Sequence, residues 1–136
     1  MDAALRKKVI EQAGGRCEYC HLHQCHQPLI SFHVEHILAR QHGGEDLPEN
    51  LALACHRCNL RKGTNLTGLD PETRALTRLF HPRKDDWSQH FTLREGHQEQ
   101  IVGLTAIGRA TVWLLQMNSP DRIELRLELI RAGLWE

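Results

Sequence analysis

The chain has no surplus of either charge: its 136 residues carry 17 basic and 17 acidic side chains. That balance argues against a protein that coats nucleic acid by bulk charge, though it leaves room for a local basic patch. Long apolar runs are also missing. No window approaches the roughly 20 residues needed to cross a bilayer, so no membrane partner is expected. Residues 1–13 alternate charged and aliphatic side chains, which is not the pattern of a secretory leader, and a cytoplasmic location is expected. Internal repeats, low-complexity tracts and an interdomain linker are absent as well, which fits one domain spanning 1–136.

What the chain does have is histidine and cysteine: ten of the first and five of the second. Histidine titrates near neutrality and ligates metals, so the excess points to metal or acid–base chemistry. In a reducing compartment, cysteines read as metal ligands more naturally than as disulfides. Cys17-x-x-Cys20 and Cys55-x-x-Cys58 form two thiolate pairs. Two intervening residues let both sulfurs of a pair reach one tetrahedral ion about 2.3 Å away, and two pairs complete a closed structural zinc site. The 34 residues between Cys20 and Cys55 exceed the insert of a simple zinc ribbon and must hold structure of their own. Cys25 has no partner at ligand spacing and is read as a bystander. Cys17-Glu-Tyr-Cys20-His21 also matches a haem-attachment pattern, but that chemistry needs export and would leave the second pair idle.

Helix signals flank residues 2–13, with Asp2 as cap, Leu5, Val9 and Ile10 on one face, and Gly14-Gly15 as the stop. Residues 30–37 alternate apolar and polar side chains and suit a strand, with Leu51–Ala54 as its partner. A short helix is expected from Cys58 to Gly63. Residues 64–89 read as an irregular wrap with one helical turn around 71–79. A hairpin about Gly96 follows, then helices over 106–117 and 119–131, the second opened by Pro120 and closed by Gly133.

Within the clamp, His33-Val34-Glu35-His36-Ile37 is followed by Gly43-Gly44, Glu49-Asn50-Leu51, Cys55-His56-Arg57-Cys58-Asn59 and Lys62-Gly63. This arrangement resembles the HNH family of the ββα-metal (His-Me finger) nucleases in its four-cysteine, zinc-clamped bacterial form. The resemblance covers about residues 14–63. It implies a ββα-metal core with a CxxC…CxxC clamp; with the N-terminal helix and an extension over 64–136, a hairpin plus two helices packing on the core, the expected fold is α+β. With Asn59 where the family places His or Asn, the chain is an H-N-N variant.

The resemblance implies an endonuclease that hydrolyses DNA phosphodiester bonds. Such chemistry needs an activated water, a Lewis acid for the developing charge and help for the leaving oxygen. His36 is the expected general base, since a free imidazole is largely neutral at pH 7. Glu35 and Asn59 offer oxygen ligands for an exchangeable Mg²⁺ or Mn²⁺, beside the structural zinc held by Cys17, Cys20, Cys55 and Cys58. The family places the Glu-His pair at the end of the first strand, where one peptide can present both ligand and base. Asn50 is implied to hold the loop that fixes His36.

His33 reads as a third ligand, a phosphate contact or a solvated strand residue, while His42 and His56 read as surface residues. None of His21, His23 and His26 is singled out. Between Cys55 and Lys84 lie seven basic residues against two acidic ones. Arg57, Arg61 and Lys62 are the expected phosphate contacts, with Arg40 a weaker one. Residues 79–91 with 103–105 resemble an extension found in some bacterial relatives, with no catalytic role expected. The last helix presents Ile123, Leu125, Leu127, Leu129, Ile130 and Leu134 as a wide apolar face for packing, or for self-association, so a monomer or weak homodimer is expected. The alternative to an enzyme is a zinc-stapled nucleic-acid-binding module that does not cut. A third reading is a toxin or mobile-element protein using the same chemistry.

Overall fold

The computed structural model describes residues 1–135. It is an α+β structure whose chain forms two compact units: Met1–Leu66 with His81–Asp85, and Thr67–Phe80 with the chain from Asp86 onward.

In the first unit, helix α1 spans Ala3–Ala13. The Asp2 side chain accepts the Leu5 amide at 2.7 Å, and Gly14 stops the helix in the left-handed region at φ 63°. Val9 is buried, Leu5 half-buried and Ile10 exposed, a narrower apolar stripe than the sequence pattern suggests. Strand β1, His33–His36, pairs antiparallel with β2, Leu51–Ala54, in the register His33 to Ala54 and His36 to Leu51. β1 is shorter than the alternation over 30–37 implies. The Gln24 amide is the reason: it accepts the Phe32 N–H at 2.6 Å and donates to the Gln27 and Ile30 carbonyls, holding this stretch as a loop. All four residues of β2 are buried.

Helix α2 covers His56–Lys62 and starts two residues before the expected point. Cys55 makes the difference, because its sulfur caps the helix by accepting the Cys58 N–H at 3.4 Å. The His81–Asp85 segment is tied to this unit by Arg83. Its guanidinium grips both oxygens of Glu18 at 2.7 and 2.6 Å and the Leu51 carbonyl at 3.1 Å.

The second unit opens with a hairpin, β3 (Thr67–Leu69) and β4 (Leu76–Arg78), in place of the helical turn expected near 71–79. Asp70 causes the reversal. Its carboxylate accepts the Glu72 N–H and the Thr73 hydroxyl, a local turn that competes with helix. Arg109 then binds the same carboxylate at 3.0 and 2.8 Å. After short helix α3 (Trp87–His90), strands β5 (Phe91–Arg94) and β6 (His97–Gly103) form the expected hairpin across Gly96. Helices α4 (Ala106–Leu114) and α5 (Pro120–Arg131) close the unit.

The buried face of α5 is not the aliphatic one anticipated. Arg122, Arg126 and Leu129 are buried, while Ile123, Leu125, Leu127 and Ile130 are only half-buried. Arg126 can be buried because its guanidinium donates to the Glu99 and Met117 carbonyls. Among the described residues, no helix is long and apolar enough to cross a membrane.

Candidate active site

Cys17, Cys20, Cys55 and Cys58 are buried, and their sulfurs all lie within 4.8 Å of one another. The Cys20 and Cys55 sulfurs are 3.8 Å apart. Two ligands on a tetrahedral ion with bonds of about 2.3 Å should be about 3.8 Å apart. Amides stabilise the sulfurs in the way a knuckle does, Cys20 N–H onto Cys17 and Cys58 N–H onto Cys55. Hydrogen bonding from Cys17 and Cys20 draws the Cys55 thiol far down, whereas burial pushes Cys17 well up. Four buried thiols cannot all ionise without a cation between them. The set therefore fits a structural zinc.

β2 leads straight into this clamp, and β1 beside it ends at His36. Because the strand stops there, Glu35 and His36 line the same cavity, about 520 Å³ in volume, together with His33 and Asn59. Glu35 is buried, with Tyr19 donating its hydroxyl to one oxygen and Lys62 Nζ 3.5 Å from the other. Burial raises the Glu35 pKa, against the opposing pull of Lys62 and Tyr19. A buried carboxylate of this kind at a cavity wall, with an amide and imidazoles beside it, is a donor set that fits a hard divalent cation retaining waters. Asn59 stands half-buried on α2, one residue beyond Cys58.

Asn50 ties the loop after β1. Its Oδ1 accepts the Leu38 N–H at 2.8 Å, and its Nδ2 donates to Leu38 O at 3.0 Å and Glu45 O at 2.9 Å. Gly44 passes so close that a Cβ there would sit 1.7 Å from Leu38 O. Only glycine lets the two limbs of the loop meet.

One partner was missed in the sequence. Asp46 Oδ1 lies 2.6 Å from His36 Nε2, and Arg40 grips both Asp46 oxygens at 2.8 Å. Hydrogen bonding from His36, aided by the N-terminal amine and Arg40, holds the Asp46 carboxyl at about 2. An ionised carboxylate can only accept, so the proton of this contact sits on Nε2, and a neutral ring would then carry its lone pair on Nδ1. The 3.5 Å approach of Arg40 Nε to Nε2 is too long to compete. The only sequence signal for Asp46 is its place in Gly43-Gly44-Glu45-Asp46, a polar loop that folds back over the strand end.

The basic residues separate. Arg61 is exposed and Arg57 half-buried on α2. Lys62 is 2% exposed, and its ammonium donates to Ile37 O at 3.0 Å beside Glu35, so it braces the strand end from within. Arg40 pairs with Asp46, and Arg83 with Glu18. His42 is exposed, and His33 and His56 face each other.

Two short antiparallel strands, a following helix, a four-cysteine cluster that fits zinc and a Glu-His pair at the strand end define a cysteine-clamped domain of the ββα type. Residues 17–65 match the family model described as HNH endonuclease. That match suggests a nuclease-type function on nucleic acid. No curated protein and no solved structure matches the chain.

Proposed function

We propose that the chain is a metal-dependent endonuclease that hydrolyses phosphodiester bonds in DNA. The observation that carries this reading is the 2.6 Å contact of His36 with Asp46 at the wall of a cavity that Glu35 and Asn59 also line. With Nε2–H held by an anion, Nδ1 is the basic nitrogen, and His36 takes the proton of a water attacking phosphorus. Asp46 fixes the tautomer and stabilises the imidazolium that results. Asn50 holds the loop on which both depend. Glu35 and Asn59 would hold Mg²⁺ or Mn²⁺, and such an ion would supply the Lewis acid for charge on the phosphoryl oxygens. Arg57 and Arg61 contact backbone phosphates beside the site. Lys62 supports Glu35 and the strand end rather than the substrate.

A purified, zinc-loaded chain incubated with supercoiled plasmid tests the reading. Nicked or linear product with Mg²⁺ or Mn²⁺, and none when the exchangeable metal is chelated, is expected. Salt-sensitive DNA binding with no cutting under any divalent ion would instead establish the non-catalytic binding module. The Tyr19 and Lys62 contacts that already satisfy Glu35 are what would favour that second reading.

A further inference from the structure

His33 opens β1, opposite Ala54 at the end of β2, and two residues later His56 begins α2. This register brings two imidazoles together at the surface beside the clamp. His33 Nε2 lies 3.1 Å from His56 Nδ1, with ring centroids 5.4 Å apart and planes tilted by 37°. Among the described residues neither ring has another hydrogen-bond or ion-pair partner, so no carboxylate explains the pairing.

We infer that His33 and His56 form a two-imidazole site for a borderline transition-metal ion, separate from both the four-cysteine zinc and the Glu35–Asn59 pair. On an ion with metal–nitrogen bonds of about 2.0–2.1 Å, adjacent ligands are about 2.9 Å apart in octahedral and about 3.4 Å apart in tetrahedral geometry. The observed 3.1 Å lies inside that range. Without metal, one N–H lies between the two nitrogens. On binding, that ring moves its proton to its outer nitrogen and both inner lone pairs face the ion. When both rings are neutral, no proton is released to solvent.

Two neutral imidazoles select Ni²⁺, Cu²⁺, Co²⁺ or Zn²⁺ over Mg²⁺, so this position and an oxygen-ligated one would take different ions. His33 also lines the cavity shared by Glu35, His36 and Asn59, so an ion on the pair adds positive charge at that wall. The site requires only the geometry of this pair and stands whether or not the chain cuts DNA.

The test titrates the zinc-loaded full chain with Ni²⁺ at pH 8 by calorimetry, with zinc content measured before and after. One saturable Ni²⁺ per chain is expected, with the zinc retained. His33→Ala and His56→Ala should each weaken binding by about tenfold or more, because even loss of a supporting group costs a metal site about 10–100-fold. His42→Ala should leave it unchanged. A second readout needs no variant: in the wild type, paramagnetic Ni²⁺ should broaden the His33 and His56 ring resonances first. No Ni²⁺ binding, binding unchanged by both alanine variants, or first broadening at other histidines would overturn the site.

Discussion

His36 Nε2 and Asp46 Oδ1 are 2.6 Å apart, and Arg40 holds the same carboxylate at both oxygens. On the proposed reading, Asp46 is a positioning residue for His36. Asp46→Asn removes the charge that favours Nε2–H and the imidazolium. Its expected effect on cleavage is a fall in kcat of about 10²–10⁴-fold. KM for DNA should change little, and Asp46→Glu should recover part of the loss. Steady-state kinetics on a plasmid or oligonucleotide separates the two constants. A variant that cuts at the wild-type rate would show that the contact has no catalytic role.

Metal content is the second prediction. Zinc analysis of chain freed of loosely bound ions should give about one zinc per chain, and Cys→Ser at Cys17, Cys20, Cys55 or Cys58 should abolish it. Strong chelation should unfold the β1–β2–α2 region, read as lost amide protection in hydrogen exchange. Folded, protected strands in zinc-free protein would remove the clamp from the account.

Two neighbouring cations should behave in opposite ways. Arg61 is exposed, so Arg61→Ala should leave stability within about 0.5 kcal/mol and reduce the salt slope of DNA binding by about 1. Lys62 is buried against Glu35 and the Ile37 carbonyl. Lys62→Met strands the Glu35 carboxylate and should cost about 3–5 kcal/mol in denaturant unfolding. Equal effects of the two changes on binding and stability would refute this division.

Asp70 gives a pH signature in the second unit. Hydrogen bonding from Arg109 pulls its carboxyl below the usual range. A depressed folded pKa stabilises above the unfolded value of about 3.9 and loses that contribution as pH falls through the folded value. The stability gap between wild type and Asp70→Asn should therefore be full at pH 7 and shrink below about pH 4. Urea midpoints of both proteins across that range measure it, and a gap that widens on acidification would contradict the assignment.

Much of this was legible in the residues because local rules set it. The spacing within each cysteine pair, the cap at Asp2, the stop at Gly14 and the hairpin about Gly96 all follow from local sequence rules. What escaped depended on distant partners. Arg109 and the turn at Asp70 replaced a helical turn with a hairpin, and carbonyls at Glu99 and Met117 allowed Arg126 into a core the pattern reserved for leucines. The same limit hid Asp46, whose meeting with His36 requires the loop closure at Gly44 and Asn50. Lys62 looked like a phosphate contact because one-dimensional charge counting does not show which side of α2 faces Glu35.

The most direct test of the central claim compares plasmid cleavage by wild type and His36→Ala, with zinc content confirmed equal and Mg²⁺ or Mn²⁺ supplied. Loss of nearly all cleavage in the variant, with DNA binding retained, is the expected result. Equal cutting by both proteins would contradict His36 as the base.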